Sequence, residues 1–167
     1  ALITSQGALR PEQYPKIQAE KITDKVLEII NNFDFMLVNF ADADMLAHSG
    51  NIEDAISGIE TIDRCLARLI KSQDENTAII ITADHGNAEE MLNPHTGAKK
   101  TEHTANPVPF YLVHPSLTKK AAHQPILTQK PKGVLQDVSP TILELMEIPQ
   151  PKEMTGQSLL GKLSFHD

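Results

Sequence analysis

The sequence predicts an α/β fold, a mostly parallel sheet with helices on both faces, and two observations carry that reading. Three short apolar runs, "FDFMLVNF", "TAIIITA" and "VPFYLVH", are too brief for buried helices and rich in aliphatic, aromatic and β-branched residues, so each reads as a buried strand. Other segments repeat their apolar residues every three or four positions, the period of an amphipathic helix. Continuous apolar strands joined through helices imply a parallel sheet covered on both sides.

In chain order, "AEKITDKVLEIINN" places Ile22, Val26, Ile29 and Ile30 on one helical face. A strand follows from about residue 34 to 40. The segment "NIEDAISGIETIDRCLARLIKSQ" repeats Ile52, Ile56, Ile59, Ile62, Leu66, Leu69 and Ile70, which predicts a helix of roughly five or six turns. Its single cysteine, Cys65, reads as a small core residue. The polar turn "SQDEN" leads into the second strand, "TAIIITA". Residues 84–107 form a loop of about two dozen residues, much longer than a common connection, and loops of that length are usually functional or disordered. After the third strand, "VPFYLVH", a polar stretch with Pro and Lys occupies 115–132. The segment "DVSPTILELMEI" then predicts a helix with Ser139 as N-cap and Pro140 in the first turn, and 149–167 reads as irregular. No internal repeat or low-complexity tract is found.

With 167 residues, 40% hydrophobic and 22% charged, the chain is an ordinary globular domain by composition. Its net charge of −7, with Lys and Arg dispersed, disfavours nucleic acid or an anionic membrane as the main partner. An anionic substrate would need metal or local cations. No apolar run is long enough for a membrane helix, the opening "ALITSQGALRPEQ" lacks the regions of a signal peptide, and a cytoplasmic location is the default expectation.

Chemistry concentrates just after each predicted strand, where open α/β sheets bind ligands. In "NFADADMLAHSGN", Asp44 and His48 are four apart, so one helical turn puts both on a single face, while Asp42 points elsewhere. Alone, that spacing is better explained by a solvated turn followed by an ordinary N-terminal cap for the 51–71 helix, and is only suggestive of a shared cation. In "TADHGNAEE", Asp84 and His85 are adjacent and cannot both face one ion in an extended strand, so the chain must turn there, which Gly86 permits. An isolated Asp-His-Gly is also an ordinary turn, and Glu89 and Glu90 read as a solvated helical turn. In "KKTEHTANPVPF", His103 closes the long loop, with Asn106, Pro107 and Pro109 fixing the approach to the third strand. His95, His114, His123 and His166 read as loop or tail residues, and Lys99 and Lys100 as solvated charges.

Together, Asp44, His48, Asp84, His85 and His103 bring five imidazole or carboxylate groups to one rim. Such donors suit manganese, zinc or iron better than calcium or magnesium. Five exceed what one catalytic ion takes from protein while keeping an open position, so a pair of ions about 3.5 to 4 Å apart fits better. Two ions would need further donors, and no Ser here stands in a clear nucleophile setting.

The ordered segments "NFADADMLAHSGN", "TADHGNAEEM", "TEHTANPVPF" and "EMTGQSLL" resemble the C-terminal part of cofactor-independent (2,3-bisphosphoglycerate-independent) phosphoglycerate mutase, of the alkaline phosphatase superfamily. The resemblance spans roughly residues 22 to 160. It implies an alkaline phosphatase-like fold, and two divalent ions, manganese foremost with zinc as the other candidate. Asp44, His48 and His103 would hold the first ion, and Asp84 and His85 the second. It further implies interconversion of 3-phosphoglycerate and 2-phosphoglycerate, a step of glycolysis and gluconeogenesis, through a phosphoserine intermediate in a parent protein expected to be monomeric. The usual "NPDMVGHTGN" is replaced by "DADMLAHSGN", with the ligand positions kept. The family's upstream Asp, nucleophilic Ser, phosphate-stabilising cation and inserted substrate domain have no counterpart here. Residues 1–167 are therefore expected to be the C-terminal part of the metal-binding domain, inactive alone. Two alternatives stay open: another enzyme of the superfamily, such as a phosphopentomutase or phosphate-ester hydrolase, from which "HTANPVPF" argues away, and a non-catalytic interaction domain.

Overall fold

The computed structural model describes residues 18–117 and 130–163. The readings for His123, His166, the opening residues and most of the polar stretch at 115–132 lie outside the described residues. The chain divides into two units, Ala1–Gln73 with His85–Asn106, and Asp74–Asp84 with Pro107–Asp167.

The first unit is built on helices α1 (Gln18–Ile29), α2 (Asp42–His48) and α3 (Ile52–Lys71), a single 3-10 turn continuing α1 over Ile30–Asn32. Helix α1 buries Ala19, Thr23 and Val26, one side of its 3.6-residue period. The Ala19 N–H, one of the donors left over at a helix start, reaches the Asp42 carboxylate at 2.9 Å. Asp42 is thereby turned onto α1. Burial pushes its carboxyl above the usual range, and the Ala19 hydrogen bond works against that rise.

Helix α3 starts at Asn51, whose side chain accepts from the N–H groups of Glu53 and Asp54 at 3.1 and 3.3 Å. Acidic residues in its first turn and Arg68 and Lys71 in its last complement the helix dipole. The inward face differs from the expected isoleucine stripe. Ala55, Gly58, Thr61, Cys65 and Leu69 are buried, whereas Ile56, Ile59 and Ile70 are exposed. Small residues win because α2 packs closely: a Cβ added at Gly58 would lie 2.5 Å from Leu46 Cδ1. Leu46, Ala47, Ala55 and Met91 form the core beneath the candidate ligands, with Ile52 and Ala88 against it.

The expected strand at 34–40 joins no ladder among the described residues. Phe33 begins it in extended geometry, φ −139° and ψ 139°, but extended backbone becomes a strand only beside a hydrogen-bonding neighbour. Nor is the run buried: Phe33, Phe35 and Leu37 are exposed, Leu37 at 85%.

In the second unit, β1 (Ile79–Thr82) and β2 (Phe110–Val113) form a two-stranded sheet. They run antiparallel, Ile79 opposite Val113 and Thr82 opposite Phe110, which corrects the parallel pairing expected for these two runs. The connection re-enters the sheet at the end it left, and the Thr82 hydroxyl donates to the Pro109 carbonyl there at 2.9 Å. A parallel pair needs a crossover, usually a helix, and between these strands only the single 3-10 turn Ala88–Glu90 forms. Both strands are half-buried rather than buried, with Thr82 and Tyr111 exposed.

Helix α4 (Val138–Leu145) is entered through a 3-10 turn, Leu135–Asp137. Asp137, not Ser139, organises its start. Its carboxylate accepts the Gln157 N–H at 2.8 Å and the Val134 N–H at 3.1 Å, while Pro140 sits in the first turn as expected. The Thr141 hydroxyl donates to the Asp137 carbonyl and accepts the Leu159 N–H, so the "EMTGQSLL" segment is laced across the head of α4. Hydrogen bonds from Gln157 and Val134, helped by Lys162, hold the Asp137 carboxyl below its ordinary value of 3.8. A depressed folded-state value stabilises fully above the unfolded one and is lost as pH falls through it. Thermal midpoints measured downward from about pH 5 should therefore drop below pH 3.8, and drop less in Asp137→Asn; parallel curves would contradict this.

Candidate metal centre

Four predicted ligands, Asp44, His48, His85 and His103, meet in the first unit. Helix α2 presents Asp44 and His48 one turn apart, His48 Nε2 lying 3.4 Å from Asp44 Oδ1. The turn after α2 uses Gly50 at φ +66°, where a side chain would be strained and would also press on Lys99 and Thr101. That close approach brings the 99–103 segment over the helix end. His103 Nε2 comes to 3.0 Å from His48 Nε2 and 3.5 Å from Asp44 Oδ1. His85 stacks on His103, ring centroids 3.6 Å apart at 18°. Ligand atoms of Asp44, His85 and His103 all fall within 4.8 Å of one another.

His48 is oriented for this arrangement. Its Nδ1–H donates to the Thr101 carbonyl at 2.6 Å, so the unprotonated Nε2 turns to the cluster. Two imidazole nitrogens 3.0 Å apart must share a proton or a cation, and both border one carboxylate. Asn87, 5% exposed, donates its amide to Asp44 Oδ1 at 2.7 Å. Its own Oδ1 is buried with no hydrogen-bond partner, the kind of atom a bound water or ion's shell satisfies. Carboxylate, three imidazoles and an orphaned amide oxygen together fit a divalent ion of the manganese-to-zinc series.

Asp84 belongs to the second unit, next to β1, while His85 opens the returning segment of the first. The chain bends at Asp84 and His85 as expected, but Gly86 serves the bend otherwise than through a positive φ. It is absent from the positive-φ residues, but a Cβ there would collide with the Thr104 hydroxyl and the Glu89 carboxylate. Glycine is needed for close approach.

The long loop is folded in its first-unit part, 85–106. Isolated bridges pair Gly86 with Thr104 and Leu92 with Lys99, and Gly97 takes φ +67° in the turn between. Glu89 and Glu90 are hydrogen-bonded rather than merely solvated. Burial pushes the Glu89 carboxyl up, but hydrogen bonds from Thr104, Asn106 and backbone N–H groups outweigh it and hold it below the usual range. Glu90 is lowered by Lys100, at 2.7 Å, and by Asn106. Lys100 is thus an ion-pair partner, not a solvated charge. Sequence reasoning passed over Asn87, whose place two residues after His85 was its only signal.

Residues 2–150 match the Metalloenzyme superfamily. Curated relatives named 2,3-bisphosphoglycerate-independent phosphoglycerate mutase include those of Moorella thermoacetica, 41% identical over 96% of this chain, and Clostridioides difficile, 42% identical over 96%. That of Thermomicrobium roseum is 44% identical over 87%. The chain spans 30%, 31% and 28% of their respective lengths. A crystal structure of Leishmania mexicana phosphoglycerate mutase at low cobalt concentration superposes with a TM-score of 0.72 at 28% identity, over 92% of this chain and 30% of that one.

Proposed function

The chain belongs to the Metalloenzyme superfamily, and on that premise we propose that it carries the metal ligands of a 2,3-bisphosphoglycerate-independent phosphoglycerate mutase. The observation that carries this reading is the convergence of Asp44, His48, His85 and His103. Asp44, His48 and His103 are assigned to a first divalent ion, and His85 with Asp84 to a second. Manganese is the first candidate and zinc the other. A bound ion supplies positive charge against a transferring phosphoryl group. The residues themselves do the holding: Thr101 fixes the His48 ring, and Asn87 fixes the Asp44 carboxylate.

At the length of its relatives, such a protein would interconvert 3-phosphoglycerate and 2-phosphoglycerate as a cytoplasmic, monomeric enzyme of alkaline phosphatase type. Among the described residues, no helix is long and apolar enough to cross a membrane. The 167 residues alone are expected to bind metal without turnover, since they span only 28–31% of the lengths of the mutases they match. Calorimetric titration with manganese chloride tests the first point, and a coupled mutase assay on the same sample the second. Manganese uptake reversed by chelator, with no turnover, is expected; absence of uptake, or turnover by the isolated chain, would overturn the respective half.

A further inference from the structure

We propose that Glu89 is a positioning residue that fixes the spacing of the His85 and His103 imidazoles; this deepens the metal-site reading and rests on it. One carboxylate here holds both arms of the loop. Glu89 Oε2 accepts the Asn87 N–H at 2.6 Å, two residues after His85. Glu89 Oε1 accepts the hydroxyl of Thr104, the residue after His103, and the Asn106 amide at 3.0 Å. Beneath these bonds the Thr104 N–H donates to the Gly86 carbonyl at 2.8 Å, so the backbones beside the two histidines are tied at one point.

The route to the cluster is short. Asn87, whose N–H ends on Glu89, sends its side-chain amide to Asp44 Oδ1. Glu89 therefore borders three candidate ligands: His85 and His103 through adjacent backbone, and Asp44 through Asn87. Gly86 completes the arrangement, because any side chain there would strike the Glu89 and Thr104 oxygens. A solvated turn would need none of this. All the groups meeting Glu89 are donors, so the site selects a carboxylate: glutamine would offer one acceptor oxygen and point an NH2 at another donor.

The test uses the 167-residue chain and cobalt(II), whose visible absorption reports ligand geometry. For Glu89→Gln, cobalt affinity should fall about 10- to 100-fold, the usual effect of losing an outer partner of metal ligands. The visible band of the cobalt that still binds should also shift in position or intensity, a change that a purely stabilising role would not produce. Thr104→Val, nearly isosteric, removes one arm of the clamp and should move affinity and spectrum in the same direction, which keeps the test decisive if Glu89→Gln does not fold. Unchanged affinity and spectrum in either folded variant would overturn the role of Glu89 alone. No cobalt binding by the unmodified chain would overturn the metal reading, and this inference with it.

Discussion

Replacing Asp44 by asparagine is expected to weaken manganese binding by more than about 100-fold, beyond the usual loss on removing an outer partner of metal ligands. Asp44 is the one anion of the first-unit cluster. Its Oδ1 lies 3.4 Å from His48 Nε2 and 3.5 Å from His103 Nε2, and accepts the Asn87 amide at 2.7 Å. Asparagine keeps the shape and the helical setting but removes the charge that offsets a dication's desolvation. It can also turn an NH2 toward the Asn87 NH2. Since the Asp44 side chain is 36% exposed, little of the fold depends on it, and the thermal midpoint in excess chelator should stay near that of the unmodified chain. Titration with and without chelator separates the two effects. An affinity equal to the unmodified chain's would remove Asp44 from the ligand set.

The second large effect is expected far along the chain, at Gly156. A Cβ there would overlap the Gln136 carbonyl oxygen, stand 2.7 Å from its carbon and press on Pro140 Cγ at 3.1 Å. Those obstacles are backbone and a ring, which cannot swing aside as a flexible side chain can. Moving the segment instead would strain the hydrogen bonds that flank it, Gln157 N–H to Asp137, Leu159 N–H to Thr141 and Gln150 to the Gly156 carbonyl. Gly156→Ala should cost about 1–3 kcal/mol or more from overpacking. At roughly 2–4 °C per kcal/mol for a chain of this size, the midpoint should fall by several degrees. Gly161→Ala is the control. Nothing lies within 4 Å of its added Cβ, so its midpoint should barely move. Equal midpoints for the two variants would contradict the packing argument.

Helical content was legible because its signals are local: α1 and α3 lie where repeating apolar residues put them, and α4 where Pro140 marks a first turn. The same local rule pairs Asp44 with His48, since helix geometry alone puts residues four apart on one face. Which face of α3 turns inward was not legible. Isoleucines predict burial by hydrophobicity, yet close helix packing chose Ala55, Gly58 and Cys65, a choice that depends on Leu46 of another helix. Strand direction was missed for a similar reason. An apolar run announces a strand but not its neighbour, and the antiparallel return of β2 depends on how the intervening residues turn. Around the ligands, imidazole and carboxylate types could be picked out by chemistry. Asn87 and Glu89 are ordinary polar residues by type, and only their hydrogen bonds to Asp44 and Thr104 distinguish them.

The outward-facing run from Phe33 to Leu37 also governs how the purified polypeptide will behave in the tube. A stretch with exposed greasy side chains and no ladder neighbour among the described residues is a template for edge-to-edge adhesion between molecules. Asp34 is the only charge that interrupts it between Phe33 and Phe40. Colloidal stability, more than affinity, will therefore set the highest concentration at which a titration can be trusted.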